Sequence, residues 1–134
     1  MTSTLTRFAC SCAVAVLLIG CGGPARPKLA QVEGTVTFEG KPLEQGTVVF
    51  IPAEGRTATA LVIDGRLTDL MTYEPGDGLP LGTHRVTVQS VKNSGDMYAE
   101  RESLIPEKFG NPEKSGLTVT ITGTGQAPLV IDLK

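Results

Sequence analysis

The chain has 134 residues and a formal net charge of −2 at pH 7, and a body of this size forms one domain around a single hydrophobic core. The length therefore excludes a second domain. The small negative charge, without long runs of like charge, excludes a nucleic-acid-binding surface. The 16 glycines and 9 prolines interrupt the chain at short intervals, which is typical of a protein built from short β-strands.

The N-terminal segment has the pattern of an export signal. Arg7 precedes an almost uninterrupted apolar run over residues 8–19. As a helix this run would rise about 18 Å, which is too short for a hydrocarbon core of about 30 Å. A basic start, a short apolar stretch and small residues at its end predict a cleaved signal peptide over residues 1–20. Cys10 and Cys12 lie inside it and would be removed with it.

The end of this segment, Leu18-Ile19-Gly20-Cys21, resembles a bacterial lipobox. The resemblance implies cleavage before Cys21 and attachment of diacylglycerol to its thiol, and it allows acylation of the new amino group. Two or three acyl chains hold a protein on a bilayer far better than one. We therefore expect Cys21 to anchor the protein in the cell membrane or outer membrane, facing the periplasm or the exterior. The alternative is an ordinary signal peptide with a chance cysteine near its cut site.

Residues 21–30 are predicted to be the lipidated cysteine and a flexible tether, because residues 22–28 hold two glycines and two prolines and no apolar period. The body, residues 31–134, holds no cysteine. A disulfide framework or a cysteine metal site is therefore not expected. An exported domain without disulfides must be stabilised by its core alone.

Seven segments of the body either alternate between apolar and polar residues or are apolar throughout, and this predicts seven β-strands. They cover residues 32–38, 47–52, 57–63, 66–72, 83–91, 117–122 and 129–133. We expect them to form an all-β, antiparallel, immunoglobulin-like sandwich. Asp64-Gly65 is the strongest turn signal, because both residues tolerate the positive φ of a tight primed turn.

The interval over residues 92–115 is too long for an idle loop in a compact domain. Leu104, Ile105 and Phe109 would be costly to leave in water, so we expect this segment to pack over an edge of the sandwich. Pro106 is suited to the start of a single helical turn there. A functional role for the segment is the alternative.

Several motifs, in this order and spacing, resemble the carboxypeptidase regulatory-like domain, a transthyretin-like (prealbumin-type) sandwich of seven strands. They are residues 32–43 (VEGTVTFEGKPL), 46–52 (GTVVFIP), 64–67 (DGRL), 73–78 (YEPGDG) and 82–88 (GTHRVTV). Residues 105–109 (IPEKF) and 115–119 (SGLTV) are similar to a bacterial lipoprotein branch of this group. The resemblance implies a binding or accessory module with no catalytic residues.

The sequence departs from the family pattern in two places. His84 occupies a position where the family usually has tyrosine, and residues 66–72 contain one residue more than usual, which predicts a β-bulge. The fold also includes a hydrolase branch that opens a ring in urate breakdown. The histidines and the C-terminal Tyr-Arg-Gly-Ser signature of that branch are absent here. A transthyretin-like hydrolase is therefore the least favoured hypothesis.

The body shows no residue pattern typical of a catalytic site. His84 is the only histidine, and it shares a predicted strand face with valines. It is therefore interpreted as a histidine at the core edge with one hydrogen bond, rather than a metal ligand or general base. Asp64, Glu74 and Asp77 lie in turns without the close spacing of carboxylates that calcium requires. We expect no metal and no cofactor.

Aromatic side chains at the loops are the remaining candidates for a site, because sugar rings stack on aromatic faces. Tyr73 and Tyr98 lie in or beside loops and could form a small platform; alternatively, each covers an end of the core. We expect a non-enzymatic, lipid-anchored envelope protein whose domain binds a partner or serves a structural role. Its partners would be membrane lipid through Cys21 and an envelope protein or glycan. A carbohydrate-binding module that uses the two tyrosines is the alternative.

Overall fold

The structure, a computed structural model, describes residues 23, 25–92, 100–123 and 125–134. The predicted signal peptide, Cys21 and Tyr98 lie outside these residues. Within the described ranges, no helix is both long enough and apolar enough to span a lipid bilayer.

The described part of the chain contains ten β-strands and one short 3₁₀ helix. The strands are β1 Leu29–Ala30, β2 Gly34–Phe38, β3 Lys41–Pro42, β4 Gln45–Pro52, β5 Ala58–Ile63, β6 Arg66–Met71, β7 Leu79–Pro80, β8 Gly82–Gln89, β9 Leu117–Ile121 and β10 Leu129–Leu133, and the helix is Glu107–Gly110. The seven longer strands overlap the seven predicted segments, with ends that differ by up to two residues. The other three, β1, β3 and β7, have two residues each and were not predicted.

Eight strands form one sheet in the order β10-β2-β6-β5-β4-β8-β9, with β3 paired to β2. This sheet curls into a half-barrel, while β1 and β7 form a separate two-stranded ladder. The all-β prediction is confirmed. A fully antiparallel arrangement is wrong, because β10 runs parallel to β2. Alternation identifies the buried face of a strand but not the direction of its neighbour, and the continuous order of strands does not define two separate sheets.

The buried apolar side chains of the strands form one hydrophobic core. In β4, Val48 and Phe50 are fully buried while Val49 and Ile51 are half-buried. Such a strand suits a position inside the sheet, and β4 lies between β5 and β8. Burying each such side chain contributes about 1.5–3 kcal/mol.

The segment after residue 100 was predicted to pack onto the core through three apolar residues. Two of them, Ile105 and Phe109, do so. Ile105 and Phe109 are only 4% and 3% exposed, and the 3₁₀ helix begins directly after Pro106. For Leu104 the prediction is wrong, since it is 38% exposed. Its backbone N–H donates to the carbonyl of Ser90 at 2.8 Å. The chain bends at Leu104 and Ile105, and it places Ile105 in the core while Leu104 stays partly exposed.

The predicted bulge is present in β6. Thr59 pairs with Met71 but Leu61 pairs with Thr68, so two steps along β5 correspond to three along β6. Asp69 stands at the extra position with a φ of 50°. A bulge residue in this left-handed region suits aspartate, whose short polar side chain tolerates it.

The turn between β5 and β6 connects the β5–β6 hairpin to β2 and to the residue that follows β3. Asp64 and Gly65 have φ of 49° and 76°, which confirms the predicted primed turn. Gly65 donates to the carbonyl of Leu43 at 2.7 Å and accepts from the N–H of Val36 at 2.8 Å. A Cβ on Gly65 would lie 2.6 Å from the Cβ of Pro42. The position therefore requires glycine both for its φ and for the lack of space.

The two requirements at Gly65 can be separated by comparing Gly65→Ala with Gly40→Ala. Both glycines have nearly the same φ, 76° and 77°, but a Cβ on Gly40 would meet nothing within 4 Å. We expect Gly40→Ala to cost about 1–2 kcal/mol of unfolding free energy from backbone strain. Gly65→Ala should cost about 1–3 kcal/mol more, because Pro42 must move.

Urea denaturation of the two variants and the wild type measures this difference. Equal losses would show that the contact with Pro42 imposes no constraint. An unchanged midpoint for Gly65→Ala would mean that the turn itself is assigned wrongly.

Candidate functional site

The loop between β6 and β7 is folded around one carboxylate. Asp77 Oδ1 accepts from the N–H of Thr72 at 2.7 Å, and Oδ2 accepts from those of Tyr73 and Glu74 at 2.8 and 3.0 Å. Partial burial raises the pKa of Asp77, but these backbone hydrogen bonds outweigh it and hold the pKa below its usual value. The Asp77 carboxylate therefore holds its own loop in place through these hydrogen bonds.

Tyr73 is carried by this loop and is half-buried. The guanidinium carbons of Arg26 and Arg56 lie 5.2 and 5.5 Å from the centroid of its ring, within the range of cation–π attraction. Arg26 Nη1 also donates to Glu74 Oε1 at 3.1 Å. We call these four residues, Arg26, Arg56, Tyr73 and Glu74, the Tyr73 cluster. Its net charge is positive, with two guanidinium groups and one carboxylate.

Three separate elements bring the Tyr73 cluster together. Arg26 precedes β1, and the pairing of β1 with β7 fixes that part of the chain beside the loop of Tyr73. Gln31 Nε2 supports the same contact by donating to the carbonyl of Gly76 at 2.6 Å. Arg56 lies in the link between β4 and β5. Tyr73 was predicted from the sequence but neither arginine was, because only the fold brings these distant positions together.

The predicted aromatic platform of Tyr73 and Tyr98 stays a prediction, since Tyr98 lies outside the described residues. For Tyr73 itself, guanidinium groups already lie over the ring. A sugar could stack on a face so covered only by displacing an arginine.

His84 lies on β8 with its side chain fully buried. Its Nε2 is 2.8 Å from the carbonyl oxygen of Pro80, and since a carbonyl only accepts, Nε2 donates. The ring meets Phe50 edge-on, with centroids 6.4 Å apart. Among the described residues, nothing hydrogen-bonds the buried Nδ1. The prediction of a single hydrogen bond is confirmed, and the ring lies inside the core, where a substrate cannot reach it.

The three turn carboxylates considered for calcium do not converge. Asp64 lies in the turn at one end of the β5–β6 hairpin, whereas Glu74 and Asp77 follow the opposite end of β6. Within the described ranges, no three residues among histidine, cysteine, aspartate and glutamate lie close enough to share a metal ion.

A shallow groove of about 340 Å³ lies beside the link between β1 and β2. Its lining residues are Gln31, Val32, Glu33, Gln126 and Pro128. The amide of Gln126 is occupied, since Oε1 accepts from the N–H of Thr122 at 2.7 Å and Nε2 donates to the carbonyl of Thr120 at 2.9 Å. The amide nitrogen of Gln31 likewise donates to the carbonyl of Gly76. The charge that the lining offers a ligand is that of the exposed Glu33 carboxylate.

Comparison with known proteins gives no relative for this geometry: no protein-family model, no curated protein and no solved structure matches the chain. What the fold itself defines is an all-β domain with a curled, mainly antiparallel sheet. The resemblance to the carboxypeptidase regulatory-like domain stays a prediction.

The role of Asp77 in its loop predicts an acid-sensitive stability contribution. Asp77→Asn should lower the free energy of unfolding at neutral pH by about 1–3 kcal/mol. The asparagine has an NH2 group in place of one carboxylate oxygen, and this group would face the backbone N–H groups that donate to Asp77. The pKa of Asp77 is lower in the folded state. Its contribution is therefore fully present above the unfolded-state pKa and is lost as the pH falls through the folded-state pKa.

Urea midpoints of the wild type and Asp77→Asn, compared from about pH 7 to about pH 2, should therefore converge in acid. Asp64→Asn is the matched control, since asparagine also tolerates a positive φ, and it should differ little from the wild type at any pH. A gap between the wild type and Asp77→Asn that is constant with pH would contradict this assignment.

Proposed function

We propose that the chain is a lipid-anchored protein of the bacterial envelope, held in the membrane through Cys21, and that its β domain is a non-enzymatic binding or structural module. The observation that carries the proposal is the run Leu18-Ile19-Gly20-Cys21 at the end of a short apolar segment. A cysteine that directly follows such a run is suited to acylation, and two or more acyl chains give stable anchoring.

The start of the folded domain supports this arrangement. β1 begins at Leu29, so residues 22–28 are left to connect the anchor to the domain. Seven residues span at most about 25 Å when fully extended. The end of the domain that carries β1 would therefore stay close to the membrane surface.

We also propose that the domain is a form of the carboxypeptidase regulatory-like, transthyretin-like sandwich. The seven longer strands, the primed turn at Asp64-Gly65 and the bulge at Asp69 support the proposal. The pairing between β2 and β6 supports it as well, because it consists of the single pair Thr35 and Arg66. We take this thin connection as the place where the two sheets of a sandwich would part.

The non-enzymatic character is proposed from where the candidate catalytic groups lie. A general base must come within hydrogen-bond reach of its substrate, whereas the one histidine of the chain is fully buried. Asp77 is occupied by three backbone N–H groups. The partner of the module is then expected to be an envelope protein or glycan that it binds without transforming it.

Acylation at Cys21 can be tested by labelling cells with radioactive palmitate and recovering the protein. We expect the wild type to carry the label and Cys21→Ser to lose it completely, because a serine hydroxyl does not replace the thiolate nucleophile. Cys12→Ser is the matched control and should keep the label, since residue 12 would leave with the signal peptide.

Two results of this labelling would contradict the proposed function. One is an unlabelled wild type, and the other is a Cys21→Ser variant that is labelled as strongly as the wild type.

A further inference from the structure

The Tyr73 cluster holds two like charges against one aromatic ring. The guanidinium carbons of Arg26 and Arg56 are both within 5.5 Å of the ring centroid. Attraction to the ring offsets part of the repulsion between the two arginines. Glu74 pairs with Arg26, but among the described residues no carboxylate lies within 4.0 Å of Arg56. The cluster thus has a cation without an anionic partner there.

The backbone around Tyr73 is held in place by the fold. Its N–H donates to Asp77 Oδ2 at 2.8 Å, and the ladder of β1 with β7 brings Arg26 to the same loop. The two guanidinium groups are therefore presented beside a ring whose backbone is fixed. Planar guanidinium groups match carboxylate and phosphate oxygens through paired N–H donors.

We propose that the Tyr73 cluster is an oxyanion-binding site, which takes a phosphate or carboxylate group on the guanidinium groups of Arg26 and Arg56. The inference rests on the proposed function, because it names the ligand class of the binding module. It is also compatible with the position of the anchor, since five extended residues from Cys21 to Arg26 span at most about 18 Å. Such a group could belong to an anionic envelope glycan or to a lipid headgroup.

The Arg26–Glu74 pair is open to competition from such a ligand. Both side chains are largely exposed, at 65% and 70%, and an ion pair of this kind is held only weakly in water. An incoming oxyanion could therefore replace the Glu74 carboxylate on Arg26. Removing that carboxylate should strengthen binding rather than weaken it.

The test uses the purified full-length protein in a non-ionic detergent, titrated with inorganic phosphate and glucuronate, with glucose as the neutral probe. The readout is the nuclear magnetic resonance shift of the arginine side-chain N–H groups. Both anions should shift the signals of Arg26 and Arg56 saturably, and glucose should not. Arg56→Gln should weaken binding about fivefold or more, and Glu74→Gln should strengthen it about two- to fivefold.

Arg66→Gln is the matched control, because it removes the same charge at the opposite end of the β5–β6 hairpin. It should leave anion binding unchanged. The proposal is overturned if neither anion shifts the two arginines. It is also overturned if Arg66→Gln weakens binding as much as Arg56→Gln, since that would mean general charge attraction.

The source of the oxyanion is found by repeating the phosphate titration with the protein in lipid nanodiscs. If a headgroup fills the site, nanodiscs of phosphatidylglycerol should block the phosphate response that nanodiscs of phosphatidylcholine preserve. An equal response in both would support the site and exclude the anionic lipid headgroup as its ligand, which favours the glycan. Palmitate labelling reports on the anchor independently, so a failure of anion binding is distinguishable from a failure of the proposed function.

Discussion

The structure depends most on the place where the two parts of the curled sheet meet. Between β2 and β6 the ladder has one residue pair, Thr35 with Arg66. Gly65 reinforces it through backbone hydrogen bonds to Val36 and Leu43. No other residue type combines the left-handed turn with the closeness to Pro42. If this connection opened, β2 and the parallel strand β10 would no longer close the core, and the apolar side chains of β4 and β8 would be exposed.

The same hairpin extends from that connection to the candidate site. Its turn is fixed at Gly65, and its other end lies between the link that carries Arg56 and the loop that carries Tyr73. Asp77 then sets the path of the loop through three backbone N–H groups, and β1 adds Arg26 through its pairing with β7. The Tyr73 cluster is therefore a product of the fold rather than of any local motif, and its positive charge follows from which strand ends meet.

The sequence predicted what depends on local pattern. Alternation identified most of the longer strands because one face of each lies against the core, and a continuous apolar run identified β4. Asp64-Gly65 identified its turn because few residues tolerate positive φ. The parallel pairing of β10 and the contact of both arginines with Tyr73 could not be predicted, since alternation says nothing about neighbours. Leu104 was mistaken for a core residue because its apolar character does not show which way its side chain faces where the chain bends.

The central claim, that Cys21 is a lipid anchor for this domain, is tested most directly by intact-mass spectrometry of the protein purified from the membranes of its native cells. Our account predicts a chain that begins at Cys21 and carries the added mass of a diacylglyceryl group on the cysteine. A chain in which Cys21 keeps an unmodified thiol, or from which Cys21 has been removed, would contradict it.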